Sequence, residues 1–273
     1  MTYRVLLVDQ LLAAGAAAGP VLGLETGTPV ARIGIVGEGR VMASVNRPAR
    51  SHGADLPDLV DGAMAEAGLR MADLAAIAVG IGPGSFTGLR VGLSYAKGLI
   101  IASSLKLVGI SSLDAMALCG ATRPEASAGT AICPLIDARR GEVYTSLYRV
   151  GADALERLSG DLVVTLEDFA NQTAGEVVFV GEQKAQEACA FVQRRGGGVG
   201  AHAGNAELKL AGAYIAALGA ERIARGESDR PESLEPRYVR PSGAAINSAT
   251  VNWKEGVENG TSRGRANPAA CRS

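Results

Sequence analysis

The amino-acid sequence predicts an α/β protein built as two lobes. Apolar runs of strand length alternate with stretches of helical spacing. A strand–acid–turn–strand unit occurs twice, around Glu25 and around Asp137. The segment 123–129, containing Pro124, Ala126, Ser127 and Ala128, reads as a connection between two regions of ordinary domain size. With 273 residues, 47% of them hydrophobic, the chain can bury one large core or two smaller ones. Aromatic residues make up only 4% and there are 36 glycines, so the core rests on Ala, Val, Leu and Ile.

Residues 1–20 read as an N-terminal extension. Arg4 followed by the apolar stretch 11–18 has the outline of a signal peptide, but Asp9 and Gln10 interrupt it and the basic region is thin. From Val21 the pattern becomes regular. Residues 21–26, 30–36 and 40–46 read as three strands of a meander, with turns at 27–29 and 37–39. Residues 54–67 read as an amphipathic helix with Leu56, Leu59, Val60, Ala63, Met64 and Ala67 on one face. Pro57 suits its start and Gly68 its stop. A buried strand at 74–80, a glycine-rich loop, a helix at 87–103, a strand at 107–110 and a helix at 112–119 complete a first lobe, residues 21–122.

The second lobe, 130–203, is smaller. It opens on strands at 132–136 and 142–149 around an acid turn at Asp137 and continues with a strand at 177–181 and a helix at 184–194. Residues 206–225 have helical periodicity through Leu210, Tyr214, Leu218 and Ile223 and are expected to pack back on the first lobe. The tail 245–273 lacks periodicity and reads as disordered. The likeness between Leu24-Glu25-Thr26 and Ile136-Asp137-Ala138 reads as a weak internal duplication.

The densest signal is Gly82-Pro83-Gly84-Ser85-Phe86-Thr87-Gly88-Leu89-Arg90, which joins a strand to a helix N-terminus. Such a junction offers backbone N–H groups to an anion. It is not a Walker A loop, because Leu89 follows Gly88, and it lacks the third glycine of a dinucleotide fingerprint. Two readings stay open: an anion site, or a tight turn in which Ser85 or Thr87 caps the helix. The following helix is apolar almost all round, with Leu89, Leu93 and Ile100 on one side and Gly88, Gly92 and Ala96 as an adjacent small-residue stripe. A helix of this kind is covered on more than one side. Its second neighbour is either the 54–67 helix of the same chain or a helix of a partner.

Composition and spacing exclude several classes. Net charge is −1 and the sequence pI is about 6.2, so strong independent nucleic-acid binding is not expected, although distant residues can still assemble a local basic patch. No apolar run reaches the ~20 residues of a membrane span. Cys119, Cys133, Cys189 and Cys271 show no metal or redox spacing and read as neutral thiols in a reducing compartment. His52 and His202 are isolated, and a lone histidine is usually structural. No metal site and no cofactor are expected. Glu25-Thr26-Gly27-Thr28 looks like an acidic phosphate turn, but its counterpart carries Arg139 and Arg140 where glycine would admit a phosphate.

The loop 82–90 with Ala96-Lys97-Gly98-Leu99, together with Ser111-Ser112-Leu113-Asp114-Ala115, Asp137–Tyr144 and Pro236-Arg237-Tyr238-Val239-Arg240, resembles the bacterial TsaB (YeaZ) family over about residues 21–241. The resemblance implies an actin-like, two-lobed fold of the Hsp70/sugar-kinase, ribonuclease H-like class with mixed sheets. It implies a cytoplasmic, non-catalytic subunit that pairs with the transferase TsaD, and with TsaE, to form threonylcarbamoyladenosine next to the anticodon of ANN-decoding tRNAs. A homodimer in isolation is the other arrangement it implies, and tRNA would be met only through the complex. The implied partner surface takes Leu56, Leu59, Val60, Ala63, Met64, Leu89, Gly92, Leu93, Ala96 and Ile100. Anion or nucleotide contacts would fall on Glu25, Thr28, Gly84, Ser85, Thr87 and Asp137, with Glu25 standing where Asp is usual. Two alternatives are an ATP-dependent kinase-like enzyme of the same fold, resting on Glu25 and Asp137, and a metallopeptidase-like protein of the M22 type.

Overall fold

A computed structural model describes residues 3–48, 52–101, 103–172, 176–194 and 200–239. The chain runs β1 (Tyr3–Leu6), α1 (Val8–Gly15), β2 (Val21–Glu25), β3 (Val30–Gly37), β4 (Arg40–Pro48), α2 (His52–Ala67), β5 (Ala76–Gly82), α3 (Phe86–Ile101), β6 (Lys106–Ser111) and α4 (Ser112–Ala121). It continues through β7 (Ala131–Arg139), β8 (Glu142–Thr145), β9 (Tyr148–Val150), β10 (Ala154–Arg157), β11 (Leu162–Thr165), α5 (Leu166–Gln172), β12 (Val177–Val180) and α6 (Gln183–Arg194). It closes with β13 (Gly200–Ala203), α7 (Asn205–Leu208) and α8 (Ala211–Ala224). The tail 245–273 and the side chains of His52 and His202 lie outside the described residues.

The chain divides into two compact units, one of residues 8–115 with 209–238 and one holding residues 3–7 and 116–208. Each is an α/β unit with a mixed sheet. The division falls inside α4 rather than at 123–129. The reason is that the second half of α4 already belongs to the other core: a Cβ on Gly120 would lie 2.4 Å from Val180 and 2.8 Å from Ile132.

In the first unit the sheet order is β4-β3-β2-β5-β6. The meander β2–β3–β4 is antiparallel, while β5 and β6 run parallel to β2. Alternation along the strands sorts the side chains. Leu22, Leu24, Ile33, Ile35, Ile77 and Val79 point to one face, where they form a core with α2 and α3. Gly23, Gly34 and Ala78 point to the other, against α8. α8 approaches so closely that a Cβ on Gly23 would sit 2.2 Å from Gly212 O. α2 ends as its sequence demands: Gly68 is left-handed at φ 68°, and Leu69 N donates to Met64 O at 3.0 Å.

Residues 1–20 were expected to stand outside the core. Instead β1 pairs antiparallel with β10, and α1 packs on α8 with Leu11 and Gly15 buried. A Cβ on Gly15 would meet Ala220 Cβ at 2.8 Å, so helix contact at this point requires glycine. The expected single helix over 206–225 is two pieces, α7 and α8, of which α8 covers the sheet.

The second unit has the order β1-β10-β9-β7-β12-β13, with β8 paired to β7 and to β11. The expected strand 142–149 is broken at Ser146 and Leu147, because both bond to Ser159: Ser146 Oγ donates to Ser159 O at 2.9 Å and Leu147 N donates to Ser159 Oγ at 2.9 Å. The internal duplication has a topological counterpart. β2 pairs antiparallel with β3 and parallel with β5, and β7 pairs antiparallel with β8 and parallel with β12.

Candidate functional site

Glu25 ends β2 and is 1% exposed. Its Oε1 accepts the N–H of Gly27 at 2.6 Å. Its Oε2 lies against Gly80, where a Cβ would be 2.5 Å away, and beside the Ser112 hydroxyl but outside hydrogen-bond geometry. Complete burial pushes the carboxyl above the ordinary carboxylate range, against the lowering effects of Ser112, the Gly27 amide and the charge of Arg32. Arg32 is itself committed to the turn: Nη1 donates to Thr28 Oγ1 at 2.6 Å.

The loop 82–90 is tied to this turn. Ser85 N donates to Gly27 O at 2.7 Å, and Thr26 Oγ1 donates to Gly88 O at 2.8 Å. Gly84 must be glycine, since a Cβ there would lie 2.4 Å from Gly27 O. Ser85 caps α3, its Oγ accepting Gly88 N–H at 3.2 Å. Thus five of the six residues expected to contact an anion, Glu25, Thr28, Gly84, Ser85 and Thr87, gather at one junction. Thr87 is exposed there, while Thr28 is buried with its Oγ1 donating to Val30 O at 2.8 Å. Asp137 belongs to the other unit. It repeats the Glu25 geometry, with Oδ1 accepting Arg139 N–H two residues on at 2.8 Å. In both turns the amide that could hold a phosphate is taken by the turn's own acid.

The residues expected to face a partner do not face outward. Leu56, Leu59, Val60, Ala63, Met64, Leu93 and Ala96 are buried in the core between the sheet and the helices. Leu89 is buried against Gly27 and Gly82, and a Cβ on Gly92 would lie 2.1 Å from Thr26 Oγ1. Only Ile100 is half-exposed. The helical wheel found the apolar sides of α2 and α3, but those sides serve the lobe's own sheet. What the helices turn outward is Asp58, Asp61, Gly62, Ala65 and Glu66 on α2, and Arg90, Ser94 and Gly98 on α3. A Cβ on Gly62 or Gly98 would meet nothing within 4 Å. α2 and α3 pack side by side, and the Tyr95 phenol of α3 is raised by partial burial and then by the Asp61 carboxylate of α2.

The block 236–240 belongs to the family resemblance and carries no expected role there. Arg237 N donates to Ile81 O at 2.7 Å, and Tyr238 stacks on Phe86 with ring centroids 5.3 Å apart. The C-terminal segment thereby straps the 82–90 loop. Among the described residues no three His, Cys, Asp or Glu side chains converge as metal ligands, and no helix is long and apolar enough to cross a membrane. Cys119, Cys133 and Cys189 are buried.

A family model described as TsaD: tRNA N6-adenosine threonylcarbamoyltransferase matches residues 46–247, well over half of the chain. The chain belongs to the TsaD family. It is similar to the tRNA threonylcarbamoyladenosine biosynthesis protein TsaB of Escherichia coli, 35% identical over 129 residues, or 47% of this chain and 54% of that protein. TsaB of Bacillus subtilis is 31% identical over 150 residues, covering 55% of this chain and 63% of its own length. The chain thus spans about half to three fifths of the curated relatives it matches. The solved structure of YeaZ from Pseudomonas aeruginosa superposes with a TM-score of 0.63 at 26% identity, over 81% of this chain and 100% of that one. The TsaB and YeaZ resemblance read from the sequence agrees with these matches.

Proposed function

We propose that this TsaD-family chain is a non-catalytic scaffold of a tRNA threonylcarbamoyladenosine synthesis complex in the cytoplasm. It holds a TsaD-type transferase subunit through the outward strips of α2 and α3, with TsaE as a further component and a homodimer forming in the transferase's absence. The names of its TsaB relatives support the pathway. The observation that carries the scaffold reading is the open ground over Gly62 and Gly98. Glycine in a helix interior weakens the helix, and here no neighbour in the lobe needs the space. A partner helix does: without a Cβ, two helices approach closely over a long contact. Asp58, Asp61 and Glu66 make the α2 strip acidic and give the contact a direction, because complementary charge sets orientation.

The closed acid turns support the non-catalytic part. A kinase-like grip needs free amides at Glu25–Thr28 and Asp137–Gly141, and Gly27 N–H and Arg139 N–H are already engaged.

The test is co-purification with the transferase subunit. Gly62→Arg and Gly98→Glu project into open space, so each variant keeps or raises its unfolding temperature and loses the transferase. Complete complex formation by both variants would refute the proposed surface. The buried Ala96 and Met64 are unsuitable for this test, since a charge there disrupts the core.

A further inference from the structure

Phe86 opens α3 and Arg90 follows one turn later, so both lie on the same helix face. The Arg90 guanidinium sits 3.9 Å over the Phe86 ring centroid. Tyr238, delivered by the strap, stacks on Phe86 at an interplanar angle of 29° and accepts from Arg90 Nε at 3.0 Å. The arrangement is on the surface. Phe86 is 54% and Tyr238 45% exposed, and with Ile101 they are the large apolar side chains that the described residues leave open. Arg237, also exposed, adds a second positive charge next in sequence to Tyr238.

This is a local cationic and aromatic patch assembled from distant parts of a chain whose net charge is −1. We propose that the Arg90–Phe86–Tyr238 stack is a contact for one unpaired nucleotide of an RNA strand. A base stacks on the exposed plane of the guanidinium or the phenol, and a phosphate accepts from the Arg90 N–H groups that Tyr238 does not use. Unpaired bases are recognised by stacking on aromatic rings and guanidinium planes, and the backbone by charge. A carboxylate would use the charge alone and leave the planes idle. The exposed Glu232 and Glu235 lie earlier on the same strap and repel a longer anionic track, so the patch suits a single nucleotide rather than a duplex. The choice of RNA over another polyanion rests on the proposed role in tRNA modification; the stack itself does not.

The test uses the full chain, alone and with the transferase subunit, and two probes containing 4-thiouridine: an unmodified ANN-reading tRNA transcript and a short oligouridylate. Photo-crosslinks are expected on the peptides containing Phe86 or Tyr238. Tyr238→Ala is expected to weaken RNA binding about tenfold, and Arg90→Ala to weaken it similarly and lower the salt slope by about one. Tyr238→Phe keeps the ring and the affinity. Because Tyr238→Ala can also loosen the strap, Arg90→Lys serves as the second variant, expected to lose affinity while keeping the salt slope. The proposal is overturned if the wild-type chain crosslinks neither probe at these peptides, or if Arg90→Ala and Tyr238→Ala leave affinity and slope unchanged. It is equally overturned if the transferase subunit, and not RNA, protects the stack, which would make it a protein interface. Failure of the complex to assemble counts against the scaffold reading, while the oligouridylate arm still decides the stack.

Discussion

Gly34 of β3 and Ala213 of α8 meet backbone to backbone: a Cβ on Gly34 would stand 2.3 Å from Ala213 N and 2.4 Å from its Cα. Neither atom is the end of a flexible side chain, so the helix as a whole would have to lift from the sheet. Gly34→Ala is therefore expected to destabilise the first unit by about 3 kcal/mol, the upper end for an overpacked core. Urea unfolding checks this, and a loss near zero would mean that α8 slides without cost.

Gly62→Ala and Gly98→Ala should behave in the opposite way. Neither position has a left-handed φ, and neither Cβ meets a neighbour within 4 Å. Each substitution is expected to stabilise the isolated chain by about 0.5–1 kcal/mol through helix propensity. The double variant should nevertheless bind the transferase subunit less tightly, because methyl groups hold the helices apart. Stability and affinity moving in opposite directions, by calorimetric unfolding and by titration, is the expected pattern.

Apart from α1, the strands and helices of the first unit were legible because most are long and periodic, with glycine or proline at many of their boundaries. The direction of α3 was not. A helix apolar on both sides does not say which side meets the sheet, and that depends on Thr26 lying under Gly92 and Leu89 lying against Gly27. The second unit was read poorly between Tyr148 and Gln172 because β9, β10 and β11 are only three or four residues long. β10 also carries Arg157, which reads as a surface residue and is 2% exposed. α1 left a faint signal in Leu11 and Gly15, four residues apart, which Asp9 and Gln10 obscured.

Arg157 is buried because it is saturated. Its guanidinium pairs with Asp161, Nε donates to Ser146 Oγ and to Ser159 O at 3.1 Å each, and Tyr148 lies 5.4 Å from its Cζ. Asp161→Ala leaves that charge without its carboxylate in a desolvated site and is expected to cost about 3–5 kcal/mol. Arg157→Met in the same background removes the orphaned charge while keeping much of the volume, so the double variant should be more stable than Asp161→Ala alone. Denaturant unfolding of the three chains checks the order.

Glu25 supplies a pH test. Burial raises its folded pKa above the unfolded value. Between those two values the folded chain holds a proton that the unfolded chain has released, so stability falls as pH rises through the window, which opens at about pH 4. Glu25→Gln cannot ionise and retains an oxygen for the Gly27 amide. The variant and the wild type should therefore converge in stability below the window and separate above it, with the variant gaining as pH increases. The measurement is urea unfolding of both chains from about pH 3 to pH 8. Parallel curves would mean that the Ser112 hydroxyl and Arg32 offset burial completely, and that the Glu25 turn tolerates its charge.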